Sequence, residues 1–231
     1  MIDQYDWSGG REAMLRFGPT TGPVVIAAMP LFEEANRTRA FMVSILRALA
    51  ERGIAGVLPD LPGTGESLTE TENISLNDWT EAFSSLATQL GAETCVYGIA
   101  IRGGALLDAE AQLASRWHFA PVSGESLVRD LLRTRLTGSG KEGAGEAIEL
   151  SGPPVELAGN LVARTLLAQL KAASPSATAP LRTVRLESDT QMADLKVPGA
   201  PLWRRSEPDN DPVLARLLAD DIAAWIATCA A

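Results

Sequence analysis

One stretch limits this chain's fold more than any other: Thr94-Cys95-Val96-Tyr97-Gly98-Ile99-Ala100-Ile101-Arg102-Gly103-Gly104-Ala105-Leu106-Leu107. A short apolar run breaks at small residues and resumes as a helix-like run through Leu113. Where a strand turns sharply into a helix, small residues are needed two places either side of the apex, because the backbones pass too close for larger ones. This is the setting in which G-x-S-x-G lifts a nucleophilic serine above a sheet. Centring the turn on Ala100 puts bulky Arg102 in a tight place, and centring it on Ile101 does the same to Ile99. Centring on Arg102 leaves Ala100 and Gly104 flanking, with Gly103 and Ala105 beside them. The register that satisfies the sterics therefore carries an arginine at the apex. A guanidinium is a permanent cation with donors only, so it cannot attack a carbonyl. By itself the stretch also fits a plain glycine-containing strand-to-helix turn in any parallel-sheet protein.

The rest of the chain narrows the choice. Apolar runs and helical stripes alternate along it. Arg11–Phe17 alternates weakly and reads as an edge strand, and Pro23–Met29 is a continuous apolar run of the kind buried on both faces of a sheet. The polar loop Leu31–Arg37 precedes a helix with Met42, Ile45, Leu46 and Leu49 on one stripe, ending at Gly53. A strand Ile54–Pro59 follows, then a helix Leu76–Leu90 with Ser75 and Asp78 as a capping box. Beyond the turn come a strand Arg116–Val122 and a helix Gly124–Leu136. A loose connection Thr137–Gly145, an extended piece Glu146–Leu150 and a helix Ala158–Ala173 follow. Leu181–Leu186 and Pro201–Arg204 are the last expected strands. Asp211–Ala227 is a closing helix with Val213, Leu214, Leu217, Leu218, Ile222 and Trp225 on its apolar side. Alternating strands and helices imply right-handed crossovers and an α/β fold with a mostly parallel central sheet. A length of 231 residues suits a single domain, 1–231, and 123–175 is too long for a simple crossover, so it is expected as a partly helical cap insertion.

Asp60-Leu61-Pro62-Gly63-Thr64-Gly65-Glu66-Ser67 is similar to the D-x-x-G-x-G-x-S loop after the fourth strand of many α/β-hydrolases. With the turn at Arg102 it makes the chain resemble that superfamily. A closer resemblance is to the second hydrolase family associated with the exosortase A system of bacterial exopolysaccharide gene clusters. It rests on Pro30–Arg37, Val57–Leu61, Arg102–Leu107, Pro121–Gly124 and Leu131–Leu136. The resemblance implies that an arginine at the turn is a family trait, although Ala100 stands where glycine is usual.

In this superfamily the order is nucleophile, acid, histidine, with the histidine in the loop after the last strand. That loop, Arg205–Asp211, holds none, and the chain's one histidine, His118, lies inside an expected strand, where a hydrogen-bonded core residue is the simpler reading. Glu187 and Asp189 stand at the acid position. The usual triad is thus not available. Gly138-Ser139-Gly140-Lys141 fails as a phosphate loop because Arg135 replaces the first glycine and Glu142 follows the lysine. Gly63-Thr64-Gly65 lacks the third glycine of a dinucleotide fingerprint. Two distant cysteines, Cys95 and Cys229, give no zinc site and read as free thiols. Glu33 and Glu34 offer little to a cation, so neither metal nor cofactor is expected.

A net charge of −9 argues against a nucleic-acid surface. No apolar run reaches the roughly 18 residues of a membrane span, and no signal segment is seen, so a cytoplasmic location is expected. Three functions follow as expectations. The first is a pseudoenzyme that binds a small anionic ligand, or a protein partner of the exopolysaccharide system. Its pocket is expected to be lined by Leu31, Glu33, Glu34, Asn36, Ser67, Arg102, Gly103 and Ser123. The second is an esterase-like hydrolase using Ser67 or Ser123, and the third is a scaffold without a ligand. A partly buried Arg102 needs a partner such as Glu33, Glu34 or Glu187, whether it plugs a defunct site or receives an anion.

Overall fold

A computed structural model describes residues 1–138, 152–157 and 159–229, with the backbone course alone over 134–138. The strands are β1 Ile2–Trp7, β2 Gly10–Phe17, β3 Val24–Ala28, β4 Ala55–Pro59, β5 Val96–Ile101, β6 Ser115–Phe119, β7 Val155–Leu157, β8 Asn160–Val162, β9 Leu181–Leu186 and β10 Leu195–Val197. The helices are α1 Glu33–Glu51, α2 Leu76–Gly91, α3 Gly124–Gly138, α4 Arg164–Ala172 and α5 Pro212–Cys229. Eight strands form one sheet in the order β1-β2-β4-β3-β5-β6-β9-β10. Within this sheet, among the described residues, only the β1/β2 and β2/β4 pairs are antiparallel, and the remaining pairs are parallel.

Parallel strands covered on both faces need apolar residues on both, and β3, β5 and β6 are buried along their whole length. One face packs on α1 and α5 through Phe41, Ile45, Leu49, Leu214, Leu218 and Ile222. The other packs on α2, α3 and α4 through Trp79, Phe83, Leu127, Leu131, Leu166 and Leu170. The expected capping box forms: Ser75 Oγ accepts the Asp78 amide at 3.2 Å, and the Asp78 carboxylate accepts the Ser75 amide at 2.8 Å.

Several expectations need correction. Arg11–Phe17 is not the edge strand: Ile2–Trp7 forms β1, which takes the edge and pairs with β2 through the hairpin register Trp7↔Gly10. Helix α1 begins at Glu33, inside the expected loop, because acidic Glu33 and Glu34 suit a helix N-terminus and Glu33 pairs with Arg37 one turn on. The run after Arg102 is not a long helix. It makes one 3-10 turn, Arg102–Leu106, and then Arg116 collects the carbonyls of Asp108 and Ala111 at 2.8 and 2.7 Å, holding the connection irregular up to β6. The expected helix from 158 starts only at Arg164. Gly159, at φ 76°, instead turns the β7–β8 hairpin, whose buried Val155, Leu157 and Val162 join the core. Pro201–Arg204 is not a strand: Leu202–Arg204 is a 3-10 turn, and β10 closes the sheet before it. On α5, Val213 and Leu217 sit one step off the buried stripe and are exposed. The segment Glu146–Leu150 and Lys141 lie outside the described residues. No described helix is long and apolar enough to cross a membrane.

Candidate functional site

Strand β5 runs straight into Arg102, whose φ of 55° is the left-handed conformation that a strand-to-helix apex requires. A Cβ on Gly104 would stand 2.4 Å from the Ala28 carbonyl oxygen and 2.5 Å from that of Met29, so only glycine fits two places on. The register chosen on steric grounds is the one the backbone adopts. Phe32 and Ala120 also have positive φ, 57° and 49°. All three strained residues stand just beyond the carboxyl ends of β3, β5 and β6. Such strain costs of order 1–3 kcal/mol per residue and gathers where a fold positions a site.

Arg102 is only 9% exposed. Its Nη2 donates to Glu34 Oε1 at 3.0 Å and its Nε to Glu34 Oε2 at 3.2 Å. On another side the guanidinium lies 4.9 Å from the centre of the Trp203 ring, a cation–π distance. Among the described residues Nη1 makes no hydrogen bond. Burial pushes the Glu34 carboxyl above the ordinary glutamate range, and the Arg102 hydrogen bonds only partly oppose it. Glu33 does not share the task, since it is engaged by Arg37. The two carboxylates therefore hold separate arginines, and no group of three or more His, Cys, Asp or Glu among the described residues could hold a metal ion. Gly103 faces Leu127 and Leu31 rather than open space.

The other expected residues are dispersed. Asp189 accepts Arg185 Nη1 at 2.7 Å and the Gln191 amide at 2.9 Å. Burial alone would raise its pKa, but the Gln191 amide and Arg185 hold the carboxyl below the usual range. Glu187 is exposed. In the loop where a histidine would stand, Arg205 pairs with Asp209. His118 Nε2 lies 2.7 Å from Asp108 Oδ2, both side chains about 1% exposed, on the sheet face away from α1. Ser67 Oγ donates to Glu12 Oε1 at 3.0 Å and accepts the amides of Gly63 and Thr69 at 2.9 and 3.2 Å. Ser123 Oγ donates to Ser126 Oγ at 3.1 Å and accepts the Ser126 amide at 3.3 Å at the start of α3. Neither serine hydrogen-bonds to His118.

Leu31, Asn36 and Ser67 do meet, in a cavity of about 450 Å³ that Arg102, Glu34 and Ser123 do not line. It opens between the loops after β3 and β4. The helices that follow these adjacent strands, α1 and α2, lie on opposite faces of the sheet, which leaves a crevice at the carboxyl ends where ligands of open α/β sheets bind. Its charged wall is Arg39, Asp60 and Glu66. Asp60 Oδ1 accepts both Arg39 Nη atoms at 3.2 Å, and Oδ2 accepts the Glu66 amide at 3.2 Å. Gly65 is required there, because a Cβ would fall 2.4 Å from the Asp60 carboxyl carbon. Phe32 and Trp79 meet edge to face, with centroids 5.7 Å apart, on the apolar wall. The sequence reading missed Arg39, Asp60 and Trp203. The Asp60–Ser67 motif was the available signal for Asp60, and Arg39 and Trp203 had none.

No protein-family model and no curated protein matches this chain. Solved structures do. Est1E from Butyrivibrio proteoclasticus, seen with ferulic acid bound, superposes with a TM-score of 0.65 at 14% identity, over 97% of this chain and 99% of its own. XC6422 from Xanthomonas campestris, described as an α/β serine hydrolase without a lid, gives 0.58 at 12% identity, over 97% and 94%. The bottromycin epimerase BotH gives 0.57 at 17% identity, over 95% and 98%. At these identities the likeness is one of architecture: the chain has the α/β-hydrolase fold.

Proposed function

We propose that this protein is a non-hydrolytic binding protein built on the α/β-hydrolase fold, and that its ligand enters the crevice between β3 and β4. The observation that carries this reading is Arg102, which occupies the apex of the turn in the strained conformation of a nucleophile while Glu34 and Trp203 hold its guanidinium. The plug reading of Arg102 gains from that double engagement and from its absence from the crevice lining. An anionic ligand would take the open Nη1 donors of Arg102, whereas the crevice, with Arg39 facing Asp60 and Glu66, suits a small polar ligand without excess negative charge. Asn160 of the β7–β8 hairpin lines the crevice, which supports 123–175 as a cap over it. The resemblance to the exosortase-associated family supports a setting in exopolysaccharide production or export, with a protein of that system as the other partner. BotH, an epimerase by name, supports a non-hydrolytic role on this architecture.

One observation favours a second reading. Ser67 donates to Glu12, and burial raises the Glu12 carboxyl against the opposing Ser67 hydrogen bond, which makes it a stronger base. Against it, the Ser67 oxygen already accepts two backbone amides and serves the loop. Labelling with a fluorophosphonate distinguishes the two. We expect no adduct on the wild type, whereas an adduct lost in Ser67→Ala would establish the hydrolase. A thermal-shift screen of small polar and anionic compounds then tests for a ligand, because anything bound to the native state alone raises the midpoint.

A further inference from the structure

A second cavity, of about 420 Å³, lies between the start of α3 and strand β9. It is on the sheet face opposite α1 and shares no lining residue with the crevice. Three features of its wall belong together. Arg185 lies on it, 7% exposed: Nη1 goes to Asp189, Nη2 to the Pro121 carbonyl at 3.1 Å, and Nε is buried with no hydrogen-bond partner among the described residues. A buried N–H without an acceptor is destabilising, and an acceptor brought to it offsets that cost. Helix α3 begins at the cavity with Ser123 and Ser126, so its N-terminal dipole favours negative charge there. Pro121, Val122, Leu181 and Met192 supply an apolar surface beside these donors.

We propose that this cavity binds a small organic monocarboxylate, its carboxylate toward Arg185 and the start of α3, its apolar body against Val122 and Met192. A doubly charged phosphate fits less well, because Asp189 already neutralises Arg185 and Asp108 sits against His118 and Arg116. A neutral amide fits less well because it gives up the favourable interaction with the helix terminus.

The test uses the full chain, isotopically labelled, titrated separately with benzoate, benzamide and inorganic phosphate. Benzoate should shift the Arg185 Nε–H, Ser126 and Thr183 resonances at concentrations where benzamide and phosphate leave them unmoved. Met192 is 90% exposed on the cavity wall, so Met192→Trp blocks the space without touching the core and should weaken benzoate at least about tenfold. Arg185→Gln should do the same. If that variant fails to fold, Met192→Trp alone decides. No shift with benzoate, equal shifts with benzamide or phosphate, or shifts undiminished in Met192→Trp would each overturn the assignment.

Discussion

The Nη2 of Arg102 stands 3.0 Å from Oε1 of Glu34, joining the turn after β5 to the first turn of α1 across 68 residues of sequence. The side chains are 11% and 16% exposed, so each charge depends on the other for compensation. Removing one partner of such a pair is costly, while replacing both with apolar groups often is not. Arg102→Met and Glu34→Leu should each lower stability by about 2–4 kcal/mol, and the double variant should recover most of that loss. Urea denaturation of the four proteins measures the coupling. Additive losses would show that the contact carries no weight.

Glu34 also predicts a pH dependence. Burial lifts its folded pKa above the unfolded value of about 4.3, so the native state keeps the proton longer than the unfolded chain. Its contribution is fully present below the unfolded pKa and is lost as pH rises through the folded one. Buried Glu12 is shifted the same way and contributes with the same sign. Glu34→Gln should flatten the fall of stability with pH above about 4.3 without abolishing it, which denaturation at a series of pH values would record.

The turn itself can be tested by adding single methyl groups. At Gly104 a Cβ meets two backbone carbonyls, which cannot move aside, so Gly104→Ala should cost about 3 kcal/mol or more. At Gly103 the nearest atom is Leu127 Cδ2 at 3.2 Å, the end of a flexible side chain, so Gly103→Ala should cost under about 1 kcal/mol. Equal losses would mean that the close approach of β3 to the turn does not govern the apex.

Installing a hydroxyl should not install an activity. Arg102→Ser restores the expected nucleophile type, yet His118 stays bound to Asp108 on the other face of the sheet and Arg205–Asp211 still lacks a histidine. A triad missing its base is slower by about 10⁴-fold or more. We therefore expect ester turnover by Arg102→Ser to equal that of wild type, measured with a chromogenic ester.

The sheet and the turn were legible because their signals are local. A continuous apolar run such as Val24–Ala28 and the small residues around Arg102 state their own constraint. Elements fixed from elsewhere were not legible. The run to Leu113 has helical spacing, but the Arg116 guanidinium claims its carbonyls. The stretch before Arg164 reads as helix until Gly159 turns it. The site divided in the same way. Glu34 was in view because a buried cation next to a strand's exit loop needs a carboxylate. Trp203 covers that cation from 101 residues away, and only the folded chain brings it there. Ser67 and Ser123, both expected beside Arg102, line separate cavities because β3 and β5 stand between β4 and β6 in the sheet, which keeps the loops after those two strands apart.

The proposed binding role predicts no serine-type ester hydrolysis by this protein. The most direct measurement is the turnover of p-nitrophenyl butyrate by purified wild type, Ser67→Ala and Ser123→Ala. All three should match the uncatalysed background, apart from weak acceleration shared equally among them. Robust wild-type turnover that disappears in either serine variant would overturn the binding role and make the protein a hydrolase with a displaced nucleophile.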